Sequence, residues 1–438
     1  MGASAVTGGT EIREVFAWEA LDSRGTPTVA CQVSLAGGAA GRALVPSGAS
    51  TGTHEAIELR DGGHRYGGRG VRAAVANVSG PLAKAVRGLD AGAQAQLDAA
   101  MRSADGTGSL SRLGANAVLA VSIAAARAAA VAAGQPLYRF VAGDAGTVLL
   151  PLPMVNIISG GAHAGRGIDV QDFLIVPVGA GSFSEALEIA WRVRQATAQV
   201  IAAQGHNAAL VADEGGLGPV LTSNRAALEL LTTGIERAGL RAGTDAAIAI
   251  DVAATQFYDP DTGCYVLAAE QRTVTATEWT AELASWCAAY PIVSLEDVLA
   301  EDDWDNWQAA ARALPGVQLL GDDLFVTRPE RLRRGIESHA ANAVLVKPNQ
   351  VGTLSDAREA VNIAQAAGFA TVLSARSGDT EDEWLADLAV GWRTGQIKVG
   401  STMRSERTAK WNRLLEIEAR SGSTAVFAGA KALASASA

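Results

Sequence analysis

The chain has 438 residues, more than one ordinary domain usually holds, and 48% of them are apolar, enough for a large core. Its 36 basic and 46 acidic residues give a net charge of −10, which argues against a surface for nucleic acid or an anionic membrane. An anionic substrate would therefore need local cations or metal ions. Three distant cysteines without a C-x-x-C pair, Cys31, Cys264 and Cys287, favour a reducing, cytoplasmic location over a disulfide scaffold or a zinc site.

The first third of the chain predicts strands and then helices. Residues 1–10 lack the features of a signal peptide and are expected to be a mobile leader. Residues 11–45 predict three strands, and helices are predicted at about 70–88, 91–103 and 112–133. The most apolar stretch, Ala115 to Gly134, carries Arg127 near its centre, so we interpret it as a buried helix and not a membrane span. Residues 11–145 are thus predicted to form a compact α+β domain.

From residue 146 to 438 short apolar runs alternate with longer amphipathic stretches. About eight such units predict a (β/α)₈-type barrel whose first, hairpin-like strands depart from strict alternation. The predicted fold class is therefore α/β, with an N-terminal α+β cap domain followed by a barrel.

Six of the apolar runs end in or near a charged residue: Asp251, Glu296, Asp322, Lys347, Arg376 and Lys398. In a barrel the carboxyl ends of the parallel strands meet at one mouth, where active sites lie. Three carboxylates with few histidines nearby suit a hard cation with oxygen ligands, and Mg²⁺ is the natural choice. The alternative is that these carboxylates cap the helices that follow, although Asp297 and Asp323 could do that instead.

The two lysines and the following loop suggest how an anionic acid would be handled. Repulsion between Lys347 and Lys398, and from a divalent ion, would lower a lysine pKa toward the range of a general base. The alternative is a pair of lysines that only bind an anion. The stretch TVLSARSGDTED, residues 371–382, predicts a strand that opens into an anion-binding loop with Arg376 and Ser377 as donors.

Several long motifs, in collinear order over about residues 11–430, resemble the enolase family: ALDSRGTPTV, VPSGASTGTHEAIELRDG, LGANAVLAVS, SGGAHAG, DEGGLGP, SLEDVLAEDDW, GDDLFVT, LVKPNQVGTL, RSGDTED and RTGQIKVGSTMRSER. The resemblance implies an N-terminal α+β cap, an enolase-type barrel, two Mg²⁺ ions and usually a homodimer. It also implies reversible dehydration of 2-phosphoglycerate to phosphoenolpyruvate, a small anionic substrate.

The resemblance implies roles for the metal and proton-transfer residues. Asp251, Glu296 and Asp322 would be ligands of the first Mg²⁺. Ser50 would close over the site and help to place the second. Lys347 would be the base, and Lys398 would hold the substrate carboxylate. Glu214 would be the acid that helps the β-hydroxyl leave. His163 would contact the site from a neighbouring loop.

Two departures from the family pattern touch the reacting end of the substrate. Residues 374–377 read S-A-R-S where the family has S-H-R-S, so a histidine is replaced by Ala375, while Arg376 and Ser377 would still hold the phosphoryl group. At residues 171–173 the family's Q-E-F reads Q-D-F, which shortens a catalytic-shell glutamate to Asp172. Ala212 and Val298 also depart from the family motifs and are interpreted as scaffold drift.

Both changes remove bulk, so we expect a substrate with a larger group on the 2-oxygen. One enolase relative fits that description, the carboxyphosphonoenolpyruvate synthase of phosphinothricin-type antibiotic biosynthesis, which acts on a phosphonate. The alternatives are an ordinary enolase of glycolysis and, from a different class, a non-catalytic binding or scaffold protein on an enolase fold. Neither nucleic acid nor membrane is expected as a partner.

Overall fold

The computed structural model describes residues 9–49, 51–143 and 146–434. Ser50, which the family resemblance places near a metal ion, lies outside the described residues, as does most of the predicted leader.

An antiparallel three-stranded sheet opens the chain, in the order β1 (Ile12–Leu21), β2 (Pro27–Leu35) and β3 (Ala40–Leu44). Five helices follow: α1 (Arg72–Asn77), α2 (Ala83–Val86), α3 (Gln94–Asp105), α4 (Ala115–Ala132) and α5 (Leu137–Ala142). Helix α4 packs across β2 and β3, and at Gly41 a Cβ would lie 2.2 Å from the Ala124 carbonyl oxygen, so only glycine allows this approach. The predicted α+β cap is confirmed.

One predicted helix is interrupted. The stretch predicted at 70–88 forms α1 and α2, which are separated by a π-helical turn at Val78–Leu82 that contains Pro81. Proline lacks an N–H group and its ring crowds the preceding turn, so the regular α-helical hydrogen bonding cannot continue through it.

Helix α4 is the one described helix long and apolar enough to cross a membrane by length and composition, and 83% of that window is buried inside the protein. Its burial on all sides agrees with the prediction of a core helix from the sequence.

The larger part of the chain forms a closed eight-stranded barrel. Its strands are β5 (Leu152–Ser159), β6 (Asp172–Val176), β7 (Ala247–Asp251), β11 (Ile292–Glu296), β12 (Gln318–Gly321), β13 (Ala343–Val346), β14 (Ala370–Ser374) and β15 (Gly395–Gly400). Around the barrel they follow one another in the order β11, β12, β13, β14, β15, β5, β6 and β7. Strand β6 runs antiparallel to both of its neighbours and the other pairs are parallel, which confirms the predicted departure at the start of the barrel.

Helices cover the outside of the barrel: α6 (Phe183–Ala203), α7 (Asn224–Arg237), α8 (Ala276–Ala289), α9 (Trp304–Ala313), α10 (Pro329–Ser338), α12 (Leu354–Ala366), α13 (Trp384–Gly391) and α14 (Ser405–Ser421). The short helix α11 (Pro348–Val351) instead follows Lys347 at the carboxyl end of the strand Ala343–Val346. The remaining strands form two small sheets outside the barrel: β4 (Val148–Leu150) with β16 (Ala425–Phe427), and β8 (Tyr258–Asp259), β9 (Cys264–Leu267) and β10 (Arg272–Val274).

The strand register determines which residues reach the mouth of the barrel. Asp251 and Glu296 end β7 and β11 and lie side by side in register. Because β6 is antiparallel, its first residue, Asp172, pairs with the last residue of β7 and lies at the same mouth. The barrel interior contains a cluster of buried apolar side chains, and the amides of Gln318 and Gln396 pair near the amino ends of β12 and β15, away from this mouth.

Candidate active site

Lys398 joins two of the predicted metal ligands. Its Nζ donates to Asp251 Oδ2 at 2.6 Å and to Glu296 Oε2 at 2.7 Å, and all three side chains are buried. Burial alone would lower the pKa of Lys398, but the charges of Asp251 and Glu296 raise it well above its usual value. The ammonium group thus compensates two carboxylates that would otherwise repel each other.

Lys347 is paired with the third predicted ligand. Its Nζ contacts Asp322 Oδ2, and Gln350 Nε2 donates to Asp322 Oδ1 at 2.8 Å. Burial would lower the pKa of Lys347, and Arg376 and Lys398 repel its charge, but the charges of Asp322 and Glu296 act in the opposite direction and the pKa is raised above its usual value. The lowered lysine pKa values expected from the sequence are therefore not produced by the protein's own charges.

The carboxylates at the mouth meet the demands of a divalent cation. Glu296 Oε1 is buried and has no hydrogen-bond partner among the described residues, and burial followed by the charge of Asp251 raises the pKa of Glu296 well above its usual value. A buried carboxylate oxygen without a donor costs free energy that a cation would recover. These residues therefore fit Mg²⁺, which the family resemblance implies.

The helix-capping alternative for these carboxylates is wrong. The residues at the N-terminal caps of α9 and α10 are Asp303 and Arg328, and neither makes a side-chain cap hydrogen bond. Asp297, proposed as a cap, instead accepts hydrogen bonds from the backbone N–H groups of Asp322 and Asp323 at 2.9 and 2.7 Å. It thereby fixes the turn in which Asp322 lies.

Within the described part of the chain, two groups of side chains have candidate ligand atoms within 4.8 Å of one another: His163 with Asp172 and Glu214, and Asp297 with Asp322 and Asp323. They lie on either side of the Asp251–Lys398–Glu296 contact. The structure thus brings the predicted metal ligands and acid–base residues to one mouth. Asp322 belongs both to the predicted ligand set and to the second of these groups.

Asp172 is fully buried, and both of its carboxylate oxygens make polar contacts. Oδ1 accepts from Asn156 Nδ2 at 2.6 Å and from Ser159 Oγ at 2.8 Å, while Oδ2 lies 2.9 Å from His163 Nδ1. Burial alone would lower the pKa of His163, but the charge of Asp172 raises it to about 9. The imidazole is therefore held as a cation at neutral pH, with Glu214 beside it.

The backbone around Glu214 is tied to strand β15. Its carbonyl oxygen accepts from the N–H of Ser401 at 2.9 Å, and a buried arginine, Arg194, donates to the next carbonyl, that of Gly215, at 3.1 Å. The same arginine donates to Ser401 Oγ at 3.1 Å. These contacts fix the predicted acid relative to the strand that carries Lys398.

The predicted anion-binding loop contacts the N-terminal domain. Arg376 forms a bidentate contact with Glu55, with nitrogen–oxygen distances of 2.9 and 3.2 Å, and donates to Asn349 Oδ1 at 3.2 Å. Ser377 Oγ accepts from the backbone N–H of Ala49 at 2.6 Å. Ala375 is 6% exposed and belongs to the main hydrophobic cluster.

Sequence reasoning missed several residues that shape this mouth: Glu55, Asn156, Gln350 and Arg407. Arg407 is fully buried and donates to the backbone carbonyls of Arg376 and Val399 at 2.7 and 3.0 Å, as well as to that of Ser377. Glu55, Gln350 and Arg407 lie within motifs that carry the family resemblance, which is the signal that could have found them.

Comparison with known families decides the identity of the fold. The family model described as "Enolase, N-terminal domain" matches residues 12–141, and the one described as "Enolase, C-terminal TIM barrel domain" matches residues 147–436. The chain belongs to the enolase family. It is thus an enolase-type hydro-lyase of a Mg²⁺-dependent family, and its acidic clusters supply candidate ligands for the metal.

Proposed function

We propose that this enolase-family lyase dehydrates a 2-phosphoglycerate-like acid with a bulkier group on the 2-oxygen, converting a carboxyphosphonoglycerate to carboxyphosphonoenolpyruvate in a phosphinothricin-type pathway. The observation that carries the proposal is the intact set of lysines and carboxylates beside an anion loop in which Ala375 replaces the family's histidine.

The surroundings of Arg376 support a larger anionic group. A cavity of about 440 Å³ is lined by residues of the Gly48–Glu58 segment and by Asn349, the residue that accepts a hydrogen bond from Arg376. This cavity, lined by the Arg376 partners Glu55 and Asn349 and not by Arg376 itself, would take the extra carboxylate of a carboxyphosphonate, while Arg376 and Ser377 would hold the phosphorus-bound oxygens.

The side chains fit removal of a proton and then of a hydroxyl. Lys347 would take the proton from C2, and this requires a neutral amine, so its contact with Asp322 must open first. Lys398 would hold the substrate carboxylate. Glu214 would protonate the departing C3 hydroxyl, which leaves as water while the C2–C3 double bond forms. Mg²⁺, held by Asp251, Glu296 and Asp322, would supply positive charge to the carboxylate as it becomes doubly negative, with a second ion expected near Ser50.

The test is kcat/KM of the purified enzyme for both acids in saturating Mg²⁺, with Lys347→Ala as the inactive reference. We expect the carboxyphosphonoglycerate to be the better substrate by at least about tenfold, because a small phosphate in a large pocket is poorly positioned. Turnover of 2-phosphoglycerate at higher efficiency, with rejection of the larger acid, would contradict the proposed substrate.

One observation favours the alternative, an ordinary enolase of glycolysis. Ala375 is buried within the main hydrophobic cluster, so neighbouring side chains have packed around its methyl group. A non-catalytic scaffold is less well supported, because it would not need Lys347, Lys398 and Glu214 at the same mouth as the carboxylates.

We also propose a cytoplasmic homodimer. The edge strand β1 exposes Phe16 by 56% and Leu21 by 53%, and Phe16 stacks on Trp18 with ring centroids 5.6 Å apart. Large apolar side chains on an unpaired edge strand favour a protein partner. The family resemblance suggests that this partner is a second copy of the chain.

A further inference from the structure

Glu55 lies where the N-terminal domain meets the anion loop of the barrel. It is 8% exposed, and it contacts both terminal nitrogens of Arg376 across the domain boundary. A bidentate carboxylate fixes the plane of a guanidinium as well as compensating its charge. Removing either member of such a buried pair leaves an uncompensated charge.

The carboxylate of Glu55 is itself held in place. Its Oε1 accepts from the backbone N–H of Gly52 at 3.0 Å and lies 3.5 Å from Gln350 Nε2. The same glutamine donates to Asp322, one of the candidate metal ligands, at 2.8 Å. Glu55 contacts Arg376 and Gln350, and Gln350 contacts Asp322. These two side chains therefore connect the anion loop to a candidate metal ligand.

The segment that carries Glu55 is fastened to the barrel on both sides. Before it, Thr53 donates from its backbone N–H and its hydroxyl to Glu301, at 3.0 and 2.5 Å. After it, the N–H of Ala56 donates to the Gln350 carbonyl at 2.7 Å. At Gly52 a Cβ would come within 2.7 Å of Val326, so the segment fits closely against the barrel.

We propose that Glu55 is a positioning residue: it sets the orientation of Arg376 so that the guanidinium receives the phosphorus-bound anion of the substrate. The inference rests on the proposed role of Arg376 as an anion donor. The hydrogen bond from Gly52 and the anchoring of Thr53 hold the Glu55 carboxylate against Arg376, so it orients the arginine and does not compete with the substrate for it. If Glu55 positions Arg376, removing the charge of Glu55 weakens anion binding. If Glu55 competes with the substrate for Arg376, removing that charge strengthens anion binding.

Inorganic phosphate in the presence of Mg²⁺ is a suitable probe, because its binding can be measured by calorimetry without turnover. We expect Glu55→Gln, which keeps the shape and an acceptor for Gly52, to weaken phosphate binding at least tenfold. It should raise KM for the substrate more than it lowers kcat. The control is Glu188→Gln, which removes the same charge at an exposed position on α6, away from the anion loop. It should bind phosphate within twofold of the parent.

The variant Arg376→Lys distinguishes the proposed role of Glu55 from the proposed role of Arg376. If Arg376→Lys weakens phosphate binding and Glu55→Gln leaves it unchanged or tightens it, the positioning role is overturned and the role of Arg376 stands. If Arg376→Lys binds phosphate as the parent does, the assignment of Arg376 fails and the inference about Glu55 fails with it. Should Glu55→Gln not fold, Glu55→Asp, which keeps the charge but shortens the reach, is judged by the same criteria.

Discussion

At the scale of single residues, the ionised side chains that line the mouth lie against partners of opposite charge. Lys398 lies between Asp251 and Glu296, Lys347 contacts Asp322, and Arg376 contacts Glu55. Such pairing makes burial of so many charges tolerable, because an isolated buried charge is far more costly than a paired one. It also means that each assigned role can be tested by removing one charge.

Glu296→Gln should weaken Mg²⁺ binding at least about tenfold, because it removes a charge from the candidate ligand set and leaves Lys398 with one carboxylate partner. Calorimetric titration with Mg²⁺ measures this. Glu337→Gln, at an exposed position on α10, is the matched control and should bind Mg²⁺ like the parent. Equal Mg²⁺ affinity for Glu296→Gln and the parent would show that Glu296 is not a ligand.

The contact between His163 and Asp172 predicts a pH-dependent stability. The pKa of His163 is raised from 6.5 to about 9 in the folded protein. The stabilisation is therefore fully present below about pH 6.5 and is lost as the pH rises through about 9. Urea unfolding across this range should show the parent losing stability relative to His163→Gln as the pH rises. A difference that stays constant with pH would contradict the protonated imidazole.

At the scale of elements, helix α14 holds the anion loop in place through two buried side chains. Arg407 holds three backbone carbonyls at the ends of β14 and β15, and Lys410, also buried, donates to Asp379 Oδ1 at 2.6 Å. The helix thus acts on the position of Arg376 through the backbone and not through the substrate.

Arg407→Met should destabilise the fold by more than about 2 kcal/mol, because buried carbonyls lose their donors. It should also reduce kcat/KM, since the loop that carries Arg376 and Ser377 loses its support. Denaturant unfolding and steady-state kinetics measure the two effects. Arg420→Met on the same helix, where the side chain is 71% exposed, should change stability by less than about 0.5 kcal/mol. Parent-like unfolding of Arg407→Met would contradict this support role.

The elements also show what could be predicted from the sequence. The barrel strands are recognisable because each is a short apolar run, and their charged ends converge because parallel strands share a direction. The break at Pro81 could have been read from the proline itself. The contacts of Glu55 and Arg407 could not be derived from local pattern, because their partners lie hundreds of residues away or on another element. The pairing of Lys347 with Asp322, which reverses the expected pKa shift, likewise depends on the folded geometry.

At the scale of the whole molecule, the two domains build the mouth together. The segment 51–58 of the N-terminal domain lies on the barrel, where Thr53, Glu55 and Ala56 contact Glu301, Arg376 and Gln350. The barrel supplies the proposed acid–base and metal residues, and the smaller domain contacts the proposed anion loop through Glu55. Separation of the domains would therefore dismantle the site.

The exposed apolar side chains of β1 predict the state of assembly. The parent should sediment as a dimer at micromolar concentration, and the double change Phe16→Glu with Leu21→Glu should shift it to a monomer, because charges would replace apolar side chains at the interface. Replacing Val220, 73% exposed and outside β1, by Glu is the control and should leave the dimer intact. A monomeric parent would contradict the proposed assembly.

The proposed reaction begins with removal of the α-proton of a bound acid by Lys347 in a Mg²⁺-dependent step. Exchange of the C2 hydrogen of each candidate substrate with D₂O, followed by NMR, measures this step. We expect exchange by the parent in Mg²⁺, none after chelation and none by Lys347→Ala. Glu214→Gln should retain exchange while dehydration falls by on the order of a hundredfold or more. Exchange by Lys347→Ala at the parental rate, or full exchange by the parent without metal, would show that Lys347 is not the base or that the step does not need Mg²⁺.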